Sequence, residues 1–232
     1  FLDEDESEKY VHQTSWGVST RSVGALVMTH GDARGLRLPP RVAPTQIVVV
    51  PILFDDTRED TLSYCAYVLE CLEGYRVEFD TSPKSPGWKF AEAELRGIPL
   101  RIEVGPRDIK QDQVTMVRRD TGENRPLRFE DLERIVGETL EDIQQNLYQQ
   151  ALEYRQAHTW SVSGLDELAE RLEEQRGLYH APWCGSPECE TAVKDRTKAT
   201  IRCLPFEQPA DKGVCLVCGA EAKWDAVFAR AY

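Results

Sequence analysis

Two short cysteine loops, "CGSPEC" (Cys184 to Cys189) and "CLVC" (Cys215 to Cys218), constrain this chain more than any other feature. They are separated by 25 residues, so the intervening chain must fold back if the loops are to meet. Four thiolates at about 2.3 Å complete a closed tetrahedral zinc shell and leave no position for water. The spacing C-x4-C, then C-x2-C, therefore predicts a structural metal site on Cys184, Cys189, Cys215 and Cys218, not a catalytic one. The alternative, two unrelated pairs of buried thiols, leaves the shortness of the loops and the Gly and Pro in the first one unexplained. The total of seven cysteines is odd, which fits poorly with a complete disulfide framework. Cys65 and Cys71 fall about 240° apart around a helix, cannot share an ion, and read as core thiols. Cys203, in "TIRCLPF", reads as a buried strand residue. A zinc unit over residues 180–232 with little core of its own would depend on the metal for folding.

Upstream, "QIVVVPI" from Gln46 is a continuous β-branched run, the mark of a strand buried on both faces. Asp55 or Asp56 is positioned to cap the next helix, whose Leu62, Cys65, Ala66, Leu69 and Leu72 share a face, with Gly74 at its end. "RVEF" reads as a strand, Pro86 to Leu95 as a helix stopped by Gly97, and "PLRIEV" as a third strand. "QVTMVRR" and "RPLRF" flank "DTGEN" as a hairpin. The alternation predicts an α/β fold: a mixed, mostly parallel sheet with helices on both faces and antiparallel additions at one edge. Residues 129–178 read as helical, with a break at "HTWSVSG". "GDARGLRLPPRVAP" reads as a connector, extended around Pro39 and Pro40.

A net charge of -12 argues against loose binding of polyanions. The acidity is uneven, however: Lys84 to Arg128 holds ten basic residues against seven acidic, about +3. That segment is where nucleic acid would bind. No apolar run spans a bilayer, and the N-terminus lacks a signal peptide's layout, so a cytoplasmic protein without membrane contact is expected.

"TSWGVSTRSVGALVMTHGD" (Thr14 to Asp32) carries a further group of candidates. Trp16 beside Gly17 could wall a small apolar pocket, Ser19 and Thr20 could hydrogen-bond a ligand, and Arg21 could pair with phosphate. The helix that follows would place Val23, Leu26, Val27 and His30 on one buried face. Taken alone, the stretch reads more simply as an amphipathic strand and helix with an exposed Arg. His12 and His30 carry no specific spacing.

The combination changes this reading. "TSWGVSTR…GALVMTHGDARGLRLPPRVAPTQIVVVPI", "PGWKFAEAELRGIPLRIEVGPRD", the four cysteines and the terminal "VFARAY" together resemble prolyl-tRNA synthetases of the archaeal/eukaryotic-like type, which some bacteria also carry. The resemblance covers the whole chain and implies a remnant of a class II catalytic domain at 1–38, an anticodon-binding domain at 39–150, a helical connector at 151–179 and a zinc-binding domain at 180–232. By resemblance, Arg21 is the catalytic arginine of the third class II motif and binds ATP together with Ser19. Ser15, Trp16 and Gly17 line the proline pocket, and Glu94, Arg101 and Arg107 read the anticodon's guanines. The terminal Tyr232 would tuck back towards the catalytic domain. The implied activity is ATP-dependent attachment of proline to tRNA(Pro) through prolyl-adenylate, with Mg²⁺, structural Zn²⁺ and a homodimer in the intact enzyme. DNA is not an expected partner. The first two class II motifs normally precede "TSWG", so the chain is expected to be part of a longer enzyme and inactive alone. Two other readings are a stand-alone, non-catalytic RNA-binding or regulatory module built from the anticodon and zinc domains, and a purely structural zinc protein.

Overall fold

After a first helix, α1 (Arg21–His30), the apolar run forms β1 (Ile47–Pro51), and all five of its residues are buried. The computed structural model describes every residue except His12 and Tyr232, so the expectation for the terminal tyrosine lies outside the described residues. The chain divides into two units, residues 1–148 and 149–232.

In the first unit β1 is followed by α2 (Arg58–Cys71), β2 (Val77–Phe79), α3 (Pro86–Arg96), β3 (Leu100–Val104) and a one-turn α4 (Pro106–Ile109). The hairpin β4 (Gln113–Arg118) and β5 (Asn124–Arg128) comes next, then the start of the long α5 (Leu132–Ala157). The sheet order is β2-β1-β3-β4-β5. β1 runs parallel to β2 and β3, and the hairpin adds two antiparallel strands at one edge. Side chains alternate across a strand, which explains the apolar run. Ile47 and Val49 join a core shared with α2 and α5, while Val48 and Val50 pack with Ala93 of α3 and with Ile98.

Local chemistry sets the ends of α3. The Ser85 hydroxyl accepts the Trp88 N–H at 3.4 Å, Pro86 occupies the first turn, and Gly97 closes the helix at φ 70°. The buried face of α2 differs from the expected one: Thr61, Cys65, Val68 and Leu72 are buried, whereas Ala66 is exposed. Thr61 is tolerated inside because its hydroxyl donates to the Thr57 carbonyl at 2.9 Å. Thr57, not Asp55 or Asp56, precedes the helix.

The connector is docked against α3. Leu36 N–H donates to the Leu95 carbonyl (3.0 Å) and Leu38 N–H to that of Gly97 (3.1 Å), satisfying carbonyls at the end of α3. By contrast, α1 buries nothing. The face expected to be covered is open, with Val23 61% and Val27 40% exposed, and residues 14–19 form no strand. An amphipathic face needs a cover, and none of the described residues supplies one.

The second unit contains β6 (Thr159–Ser161), α6 (Leu165–Glu174), β7 (Leu178–Trp183), α7 (Pro187–Thr197), β8 (Ala199–Cys203) and β9 (Trp224–Arg230). Its sheet order is β6-β7-β9-β8. The expected break in the helical region is present and holds a short strand, β6. Two expectations are corrected. The unit has a substantial core of its own, with Tyr179, Phe228 and Leu168 fully buried beside Leu172 and Val193. Cys203 is exposed, because the β8–β9 register slips between Ile201 and Cys203 and the strand end turns away from the core.

Close approach of the connector to α3 makes Gly97 sensitive. A Cβ there would lie 2.5 Å from that of Leu36, at a backbone angle few side chains adopt. Gly97→Ala is expected to lower stability by about 1–3 kcal/mol in urea unfolding. Gly17→Ala, where an added Cβ meets nothing within 4 Å, is expected to be near neutral.

Candidate functional site

Glu94, near the end of α3, and Arg101, in β3, open into one cleft of about 170 Å³. Register places Arg101 opposite Val48, on the α3 side of the sheet. Its guanidinium is held in one plane: Nε donates to Glu103 at 2.8 Å, and Cζ lies 4.3 Å from the centre of the Phe90 ring. Glu94 approaches Arg101 at 3.7 Å. A fixed cationic edge thus adjoins a carboxylate, an arrangement that complements a ligand offering both acceptors and donors.

Sequence reasoning missed Arg34, Arg118 and Arg119, which line the same cleft. Arg119 is 4% exposed. Its Nε donates to the Glu94 carbonyl at 2.9 Å, and its two terminal nitrogens donate to the carboxylate oxygens of Asp32 at 2.9 and 2.7 Å. These hydrogen bonds hold the Asp32 carboxyl far below the usual carboxylate range, against the opposing effect of burial. The only local signal was the Arg-Arg pair ending a strand, which says nothing of a partner 87 residues away. Arg107 is not brought to this cleft. It sits on α4 and lines a separate depression of about 470 Å³ with Phe54, Thr57 and Lys110.

The four cysteines predicted as ligands do converge. Their sulfurs all lie within 4.8 Å of one another, and the Sγ atoms of Cys184 and Cys218 are 3.8 Å apart. That is too long for a disulfide, whose S–S bond is about 2.05 Å. Cys184 follows β7, and Cys189 sits in the first turn of α7, its N–H bonded to the Ser186 hydroxyl. Cys215 and Cys218 occupy a tight turn in which Gly219 N–H donates to the Cys215 carbonyl at 3.1 Å. Burial opposes ionisation of Cys215, but the backbone N–H groups of Cys218 and Val217 and the Cys184 neighbourhood bring its thiol down to about 6. Burial and the neighbouring thiols push Cys189 up to about 12. A metal ion would deprotonate both.

Ser15, Trp16, Gly17, Ser19 and Arg21 are all exposed, Trp16 at 93%. Among the described residues, they line neither of the two depressions above.

Two family models match the chain: "Anticodon binding domain" over residues 46–139 and "Prolyl-tRNA synthetase, C-terminal" over residues 165–232. An anticodon-binding α/β unit with an arginine-lined cleft, followed by a four-cysteine unit of this kind, is the arrangement of the C-terminal part of an aminoacyl-tRNA synthetase. The chain is 44% identical over 232 residues to proline–tRNA ligase of Lachnoclostridium phytofermentans and 48% identical over 236 residues to that of Natranaerobius thermophilus. It also superposes on prolyl-tRNA synthetase from Cryptosporidium parvum, solved with halofuginone and AMPPNP, with a TM-score of 0.89 at 35% identity, covering all of this chain and 50% of that one. The chain belongs to the prolyl-tRNA synthetase family and matches its C-terminal part. It spans about half the length of the curated relatives it matches, 48% and 49% for the two named.

The Asp32–Arg119 pair yields a pH test. A carboxyl depressed in the folded state stabilises fully above its unfolded value, about 3.9. That contribution is lost as the pH falls through the lower folded value. Asp32→Asn is therefore expected to cost about 1–3 kcal/mol near neutrality, with the gap to the parent protein narrowing below about pH 4. Denaturant unfolding across a pH series measures it. A gap that persists unchanged into strong acid would show that the ion pair contributes nothing.

Proposed function

We propose that this chain works within a proline–tRNA ligase, which activates proline with ATP and passes the prolyl group from prolyl-adenylate to the 3' end of tRNA(Pro). Within it, the chain's own work is anticodon recognition. The observation that carries this reading is the pairing of Glu94 and Arg101 in one cleft, inside the segment matched by the anticodon-binding model. Guanine presents N–H donors on its Watson–Crick edge and acceptors at O6 and N7. The Glu94 carboxylate accepts from the donors, and the Arg101 edge, already planar against Phe90, donates to the acceptors. Anticodon bases are unstacked in their loop, so such edges are reachable. Arg107, at the separate depression, would meet a neighbouring nucleotide.

Zn²⁺ fits the cysteine cluster. Four bonds of about 2.3 Å in a tetrahedron place sulfurs about 3.8 Å apart, the separation seen between Cys184 and Cys218. The ion would be structural, tying the end of β7 to α7 and to the Cys215 turn. Ser19 and Arg21 would bind ATP, with Arg21 supporting the phosphates and Mg²⁺ neutralising their charge. Ser15, Trp16 and Gly17 would line the proline pocket. Their exposure here fits groups that other parts of the relatives' length would cover. In domain terms we read residues 1–38 as catalytic, 39–150 as anticodon-binding, 151–179 as connector and 180–232 as zinc-binding, in a cytoplasmic homodimer. No helix among the described residues is long and apolar enough to cross a membrane.

Two measurements test the reading. Glu94→Gln and Arg101→Ala should each reduce preference for an RNA hairpin bearing the proline anticodon over one with adenine in place of guanine, by roughly 5- to 100-fold, or about 1–3 kcal/mol. Unchanged preference in both variants would rule the base-reading role out. Protein prepared without chelators should contain one zinc per chain. Chelation should then expose Cys184, Cys189, Cys215 and Cys218 to a thiol reagent and lower the melting temperature of the second unit without abolishing its sheet, because Tyr179 and Phe228 remain packed. Absence of zinc, or unfolding of both units together on chelation, would contradict this.

A further inference from the structure

The four arginines that line the cleft are not equivalent. Three are committed to carboxylates at short range: Arg101 to Glu103 at 2.8 Å, Arg118 to Asp120 at 2.8 Å, and Arg119 to Asp32 at 2.7 Å. Among the described residues Arg34 has only a distant ion pair, with Glu94 at 4.0 Å, and its side chain is 58% exposed. It leans over the turn between β4 and β5, where a Cβ added to Gly122 would meet its guanidinium at 3.7 Å. Its backbone, by contrast, is anchored. Arg34 N–H donates to Asp32 at 2.8 Å, and Asp32 and Gly35 exchange backbone bonds of 2.9 and 3.2 Å. Arg119 clamps Asp32 itself. The connector thus holds a long, solvated cation on a fixed stem at the mouth of the cleft.

We propose that Arg34 is a further RNA contact, pairing with a phosphate beside the base that Glu94 and Arg101 read, with Asp32 and Arg119 as its positioning residues. The inference rests on the base-reading role given to that cleft. A phosphate is favoured over a base because the planar, desolvated edge in the floor already belongs to Arg101, at 11% exposure. Contacts to phosphate position an RNA, whereas contacts to base edges specify it. Glu94 links the two events. Once its carboxylate accepts guanine's N–H groups, it competes less for Arg34, and the freed cation meets the incoming backbone. In a chain of net charge -12, one uncommitted cation at the cleft mouth offsets repulsion where the RNA must enter.

The test titrates the whole chain with a labelled RNA hairpin carrying the proline anticodon, and with the same hairpin bearing adenine for guanine, over a range of salt. Arg34→Ala is expected to weaken both RNAs by a similar factor, about 3- to 10-fold at low salt. It should reduce the slope of log affinity against log salt by about 0.7–1 and leave the guanine preference intact. Arg34→Lys should retain the slope, since the charge remains, which a purely structural arginine would not allow. Glu94→Gln forms a separate arm, read by its guanine preference. If Arg34→Ala leaves affinity and slope unaltered while Glu94→Gln loses guanine preference, the phosphate contact is overturned and the base-reading role stands. If Arg34→Ala alters guanine preference and not the slope, the phosphate contact is likewise overturned. If Glu94→Gln keeps the preference while Arg34→Ala loses slope, the base-reading role fails and the phosphate contact stands.

Discussion

One guanidinium organises the first unit's cleft. Arg119 is nearly buried, and its donors reach a carboxylate in the connector and a backbone carbonyl at the end of α3. A buried cation without partners would be strongly destabilising, so its position fixes theirs. The Asp32 turn, the Glu94 backbone and the β4 end share one geometry because one side chain satisfies them together. The planar guanidinium suits this role, since its donors point in fixed directions that a lysine would not reproduce.

Much of the fold was legible because punctuation and period agreed. Ser85, Pro86 and Gly97 bound α3 by chemistry that acts within a few residues. The β-branched run of β1 announces burial on both faces, and the four cysteines announce their own convergence. The elements that escaped depend on contacts distant in sequence. Thr61 replaces an apolar residue on the α2 face because a helical carbonyl accepts its hydroxyl. Cys203 leaves the core because of a register slip against β9 that no local pattern records. Arg34 enters the cleft, and Arg119 meets Asp32, only once the connector docks, while Arg107, six residues after Arg101, lies past Gly105 at a separate depression.

The second unit shows how a metal site and a core divide the work. Leu168 and Leu172 come from a helix that composition alone would assign to a connector, yet they fill the sheet beneath Tyr179 and Phe228. The cysteine cluster gathers the end of β7, the start of α7 and the Cys215 turn, where the chain is irregular. Hydrophobic burial therefore secures the regular elements. Thiolate ligation would secure the loops between them, alongside backbone bonds such as that from Cys215 N–H to the Ala220 carbonyl.

The close apposition of Gly35 to Leu95 and of Gly97 to Leu36 has an evolutionary corollary. Surface loops ordinarily absorb insertions at little cost, because closure entropy grows slowly with length. This stretch cannot. Between Asp32 and Leu38, Asp32, Gly35, Leu36 and Leu38 are each keyed to a neighbour across the contact, so one added residue would shift the remainder out of phase with the helix end. The segment behaves as a ruler, and its length should drift far less among relatives than its exposed position suggests.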